Sequence, residues 1–489
     1  TDQWLKDYVT RRYGAKSESA YEAMKILENT VYKASLNMRG QGAPESYINA
    51  RPAESIGAAS TWGNAVIGYD MEELEKAAEL LLEDYDTLKK SDGYLYDLAD
   101  ILKQVLSNSS QKYHREMVSA YRSGDLAKFN EASDQFLSLI DKVEEVLGTR
   151  KEFLFGTWTE QAKKLAEGDD DFTKDIYELN AKSLVTTWAS YPQSESGGLK
   201  DYSNRQWAGL TQDFYKQRWT MWINQKKAEG EAMDIGHGVP FIHPVEIYAG
   251  TYEDLADAYL VIVTAGANQL PGESRINLTE KNVRIFQSII PEIVRYNTEC
   301  LLLIVANPVD ILTYTALKLS GFPENRVLGS GTVLDTARLK YNLGEHLNVD
   351  SRSVHAFIIG EHGDSELAAW SSATVSGVPI NTFCEMRGHF NHDEATERIA
   401  ENVKNSAYEI IAKKKATYFG VAMAVRRICE AIIRDEKSIL PVSNLMHGEF
   451  GISDISLSMP AIVGAHGVEN RIPIALDEVH TEKLQSSAG

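Results

Sequence analysis

Four short stretches hold most of the side chains that could do chemistry: ANQLPGESR at 267–275, VANPVD at 305–310, LDTARLK at 334–340 and IIGEHGDSE at 358–366. His362 is the side chain among them that titrates near neutrality, so it is the one able both to hold and to release a proton. A buried carboxylate bonded to its second ring nitrogen would fix the tautomer and favour the charged form. An arginine such as Arg338, one helical turn after Asp335, suits a two-pronged grip on a ligand carboxylate better than a lysine would. Taken singly, each signal is weak. A histidine after Gly-Glu more often caps a turn or faces solvent, and LDTAR alone is only a helix start.

These stretches need a frame that brings strand ends together. From about residue 245 short apolar runs alternate with helical segments: VEIYAG, YLVIVTAGA, a helix to Tyr296, CLLLIVANP, then a helix from Pro308. That order predicts a parallel sheet. Pro308 suits a first helical turn, which puts Asn307 at the carboxyl end of a strand, where open α/β sheets bind ligands. Later segments such as ISLSMPAIVG and RIPIAL read as antiparallel strands. The first part is different in kind. Seven of the eight Trp and 15 of the 23 Tyr precede residue 225, whereas ten of the 13 Pro follow it. Apolar stripes at helical spacing predict helices near 70–90, 93–121, 127–147, 151–166, 170–189 and 204–222, with SGD and EGDDD as breaks. Trp188, Trp207, Trp219 and Trp222 there read as packed core, with a sugar-stacking face as the alternative.

The stretches KKAEGEAMD, SGTVLDTAR and EHGDSELAAWS, with the four above, make the chain from about Lys226 onward resemble an L-lactate dehydrogenase of the lactate/malate dehydrogenase family. The resemblance implies that His362 is the proton donor to a substrate carbonyl and Asp335 the carboxylate that orients it. It implies that Arg338 clamps the substrate carboxylate and that Arg275 polarises the carbonyl from a mobile loop. Gln269 falls where the superfamily reads the group beyond the keto carbon, and glutamine rather than arginine there implies pyruvate or lactate. Asn307 would bond substrate beside the nicotinamide, Thr417 would wall the pocket, and Ala265, Gly266 and Asn307 would touch the cofactor. His355 and Lys340 fall where some members bind a phosphorylated effector, although lysine cannot grip phosphate bidentately and a solvated helix face is the plainer reading.

NAD is the implied cofactor, yet its site is incomplete. The first strand, the G-x-G-x-x-G turn and the acidic end of the second strand are not found; GHGVPF and GSGTVL carry only two glycines each. With strand order 3-2-1-4-5-6 that loss separates VEIYAG from YLVIVTAGA and leaves edges unpaired. In their place, YLYDLADILKQVLSN, RKEFLFGTWTEQAKKLA and KDYSNRQWAGLTQDFYKQRWTMWIN make residues 1–223 resemble the helical C-terminal domain of alpha-N-acetylglucosaminidases. The carboxylates of that family sit on a preceding barrel, so hydrolysis is not expected of the helical part. The join at Ile223-Asn224 has no Gly/Ser/Pro linker and reads as a fusion of fragments, and Thr1 opens inside a helical stretch, as in a processed or partial chain.

The remaining composition sets limits. With 43% hydrophobic and 25% charged residues the chain is ordinary globular material, and a net charge of −20 argues against nucleic acid and anionic membrane as partners. No apolar run reaches the roughly 18 residues of a membrane helix. Three scattered Cys form no metal-ligand spacing, so no metal is expected, and they suit a cytoplasmic compartment; the helical part's relatives are exported or lysosomal. The expected architecture is multidomain α and α/β: a helical domain over 1–223, an incomplete Rossmann-type parallel sheet over 224–330, and an α+β substrate domain over 331–489. Two functions stand: an impaired NAD-dependent dehydrogenase of a small 2-oxo or 2-hydroxy acid, homo-oligomeric if that part folds, or a non-catalytic chimera.

Overall fold

Helix boundaries follow the capping residues. Asp70 accepts from the N–H of Glu72 at 2.9 Å, and Asp125 from that of Lys128 at 3.1 Å. At the expected SGD break the 32-residue helix Asp92–Ser123 closes on Gly124 in the left-handed conformation, and Asp125 at once caps Leu126–Gly148. The computed structural model describes residues 2–33, 46–61, 64–267, 275–414 and 417–488. Its contacts divide the chain into two units, Thr1–Ala249 and Gly250–Gly489.

The first unit is helical. One of its two cores gathers on Trp219, which is fully buried, meets Phe136 edge-on at 4.7 Å and donates from Nε1 to the Ile48 carbonyl. The aromatic array is therefore largely core. The helix expected at 204–222 starts later. Asp201, buried and left-handed, takes Arg51 and Arg218 as partners and holds the preceding segment irregular, so a turn of π-helix at Thr211–Tyr215 leads into Lys216–Gly236. That helix runs unbroken through Ile223-Asn224. Beyond Asn224, Glu229 accepts from Tyr121 Oη at 2.6 Å, and Lys226 reaches Glu54 at 3.4 Å, so residues on both sides of Ile223-Asn224 are held by the helical unit.

In the second unit β1 (Leu260–Val263) and β2 (Leu301–Ile304) pair in parallel, and β3 (Val327–Gly329) follows in parallel on β2. The sheet continues through antiparallel β9 (Ser438–His447), β10 (Ser453–Gly464) and β11 (Gly467–Arg471), in the order β1-β2-β3-β9-β10-β11. Helices Arg275–Tyr296 and Val309–Ser320 cover one face through Phe286, Ile290 and Leu312, and Phe419–Ile433 covers the other through Ile428 and Ile432. Two expectations fail here. VEIYAG forms no strand, because the neighbour it would pair with is not in the sheet, which ends at β1 with Ile262 40% exposed. RIPIAL is not a strand either. The ladder ends at Arg471, and Pro473 has no N–H to continue it. Between β3 and β9 lie the helix Val333–Leu347, the short strands β4 (Val354–His355), β5 (Ile358–Ile359), β6 (Leu367–Ala368), β7 (Thr374–Val375) and β8 (Val378–Pro379), and the helix His392–Lys414. Among the described residues no helix is long and apolar enough to cross a membrane.

Candidate functional site

The sheet and its crossovers deliver three of the quoted stretches to one place. Asp335 enters on the first turn of Val333–Leu347, and His362 follows the strand Ile358–Ile359. His362 Nδ1 lies 2.6 Å from Asp335 Oδ2, while Arg338 Nη1 donates to Asp335 Oδ1 at 2.8 Å. Asp335 is buried, which alone would raise its carboxyl, but the hydrogen bond and charge of His362 and the charge of Arg338 bring it below the usual range. An ionised carboxylate only accepts, so Nδ1 carries the proton and Nε2 is the nitrogen left for a ligand. Burial works against protonating His362. The Asp335 bond and charge, with Asp310 and Glu366, override it and raise the ring to about 9.

The main chain of His362 is held as firmly as its ring. Its N–H donates to Asp310 Oδ2 at 2.7 Å, and Asp310 Oδ1 accepts from Ser443 Oγ on β9 at 2.6 Å. Burial pushes the Asp310 carboxyl up to about 6 against those two donors. At the end of β1 a second anchor appears. Asn282, fully buried, accepts from the N–H of Ala267 at 2.7 Å and donates to the Asn307 carbonyl at 2.7 Å, tying the loop after β1 to the loop after β2. Gly266 sits in that angle: a Cβ there would stand 3.2 Å from the Ala306 Cβ and 3.5 Å from Asn282 Oδ1.

Residues 211–329 match the family model of the lactate/malate dehydrogenase NAD binding domain, and 332–489 that of the lactate/malate dehydrogenase alpha/beta C-terminal domain. The L-lactate dehydrogenase of Acetivibrio thermocellus is 55% identical over 265 residues, 54% of this chain and 84% of that protein. L-lactate dehydrogenase 1 of Clostridium acetobutylicum is 51% identical over 54% of this chain and 85% of its own length. The chain belongs to the L-lactate dehydrogenase family. The solved structure of the minor L-lactate dehydrogenase of Enterococcus mundtii superimposes with a TM-score of 0.52 at 44% identity, over 54% of this chain and 84% of that one. Residues 4–236 match the alpha-N-acetylglucosaminidase C-terminal domain, so a helical region precedes the dehydrogenase part.

Within the dehydrogenase unit the other expected residues are spread more widely. Asn307 lies just past β2, with Pro308 capping the helix Val309–Ser320, and Ala265 and Gly266 lie in the loop past β1. Thr417 precedes Phe419–Ile433, whose Gly420 packs against Leu334, next to Asp335. Gln269 lies outside the described residues, as does the side chain of Arg275, whose backbone opens the helix Arg275–Tyr296. His355 is exposed on β4 (Val354–His355), and Lys340 is half-buried on Val333–Leu347 with its ammonium pushed down by burial; neither has a polar partner among the described residues. Asp310, Asn282 and Glu366 belong to the site but were not singled out. Asp310 and Glu366 fall inside stretches already quoted, and an acid in a helical first turn reads as a dipole partner until tertiary structure buries it. Asn282, one polar residue in KNVRIF, has no signal of its own.

Proposed function

We propose that the dehydrogenase unit catalyses reduction of a small 2-oxo acid, pyruvate, to its L-2-hydroxy acid with NADH, and the reverse. The observation that carries this reading is the Asp335–His362–Arg338 set: a protonated imidazole beside a guanidinium is suited to a carbonyl flanked by a carboxylate. Arg338 would turn from Asp335 to hold the substrate carboxylate, with Arg275 and Asn307 on the carbonyl side and Thr417 at the methyl. NADH held at Ala265, Gly266 and Asn307 would supply the hydride that the carbonyl carbon takes up. His362 gives the Nε2 proton to the oxygen, and the ring, left neutral with Nδ1–H on Asp335, regains a proton from solvent. Gln269 selects a methyl over a second carboxylate.

The nicotinamide end of the cofactor fits the residues present: Ala265, Gly266 and Asn307 form a corner braced by Asn282 that a side chain at Gly266 would crowd. The diphosphate end does not have its usual partners, since the sequence contains no G-x-G-x-x-G and β1 is the edge of the sheet. Cofactor affinity, and with it turnover, is therefore impaired relative to the family. The test is NADH oxidation with pyruvate by the purified chain, beside His362→Asn and with oxaloacetate in competition. Turnover that prefers pyruvate and is lost in the variant supports the reading. No turnover together with no NADH binding would leave a non-catalytic chimera.

A further inference from the structure

Three acids surround His362, and they differ in what they accept. Asp335 takes the imidazole at 2.6 Å and Arg338 at 2.8 Å. Asp310 takes the His362 N–H and the Ser443 hydroxyl. Glu366, four residues after His362, brings one carboxyl oxygen within 4.8 Å of both a ring nitrogen of His362 and an oxygen of Asp335. Among the described residues nothing donates a hydrogen bond to it, and its own N–H is used on the Gly363 carbonyl at 3.2 Å. A half-buried carboxyl without donors, beside an ionised one, is most stable holding its proton. Burial and Asp335 push Glu366 up to about 8, against the opposing charges of His362, Arg338 and, from the helix His392–Lys414, Lys404. The neighbouring acids are engaged elsewhere: Glu361 accepts from Ser365 and Asp364 from Tyr408 Oη.

We infer that Glu366 is a positioning residue that carries the site's second proton and, through it, sets the charge that His362 and Arg338 present to an anionic ligand. With Glu366 protonated, the cations His362 and Arg338 balance the anions Asp335 and Asp310. With Glu366 ionised, the cluster has an excess negative charge, which holds the proton on His362 more tightly and repels a carboxylate approaching Arg338. The titrations of the two groups are thus linked, each proton lost changing the other's hold. This deepens the dehydrogenase reading, on which it rests for the nature of the anion.

The experiment follows the Cε1–H signal of His362 in the full chain labelled at histidine, assigned by its loss in His362→Asn. The expected wild-type titration has two steps. In Glu366→Gln the lower step vanishes and the remaining midpoint falls by about one pH unit. Glu366→Asp, which keeps the carboxyl, keeps two steps and stands in if the amide variant does not fold. A Glu366→Gln curve that superposes on wild type, or a single-step wild-type curve, overturns the inference. Pyruvate added with NADH should shift the same signal with at least about tenfold weaker affinity at pH 9 than at pH 7 in the wild type. A two-step titration without any pyruvate response upholds the role of Glu366 and sinks the substrate reading instead.

Discussion

Asp335→Asn isolates what the carboxylate does for His362. The substitution keeps the volume of a side chain that is 3% exposed, so packing should survive while the charge is lost. In the folded protein His362 is raised to about 9 against an ordinary 6.5, roughly 3 kcal/mol of preference for the charged ring. Asp335 is the largest of the groups that raise it, and burial pulls the other way. Without the carboxylate the midpoint should fall to the ordinary value or below. At pH 7.5 the protonated fraction then drops from about 97% to about 9% or less, a tenfold loss of proton donor from population alone. The amide can also donate to Nδ1 and turn the ring to the wrong tautomer, so the expected loss in kcat/KM for pyruvate reduction is about 10²–10⁴-fold. Two assays separate the causes: the His362 titration by NMR, and the pH profile of kcat/KM, whose alkaline limb should move toward acid. If His362 in Asp335→Asn still titrates within about half a pH unit of wild type, Asp335 does not set the charge on His362.

Other perturbations test the supports. Among the described residues Ser443→Ala leaves Asp310 Oδ1 with only Ser458, at 3.4 Å, and should cost about 1–3 kcal/mol in urea unfolding of the dehydrogenase unit; no change would show that the Ser443 bond does not hold Asp310. Asn282→Ala cuts the tie between the loops after β1 and β2, and should weaken NADH binding by at least about tenfold with His362 titration unchanged, read by fluorescence titration. Trp219→Ala, at the centre of the helical core, should destabilise that unit by about 3–5 kcal/mol, measured by far-UV circular dichroism against urea. Because His362 is raised when folded, its contribution to stability is complete below about pH 6.5 and is lost as pH rises through about 9. The wild-type urea midpoint should therefore decline over that window more than that of His362→Asn.

Much of this molecule is local in origin. Asp70 and Asp125 announce helix starts and Gly124 a helix end, because a cap needs only a few neighbouring residues. The runs LLLI and LVIV announce parallel strands, and the pairing of His362 with Asp335 and Arg338 is carried by family motifs dense enough to be read in order. Segments whose structure depends on a distant partner were not legible. VEIYAG has strand composition and no strand, since a ladder needs a neighbour, and the helix Lys216–Gly236 runs on through Ile223-Asn224, where the two resemblances meet, because helical hydrogen bonds reach only four residues. Tertiary structure alone decided which further acids matter around His362. Asp310 and Glu366 are two of the chain's 70 Asp and Glu until burial removes solvent and sets one against a main-chain N–H and the other against a carboxylate. Sequence carries the identity of a charge, but its proton affinity depends on the dielectric and the neighbours that folding places around it.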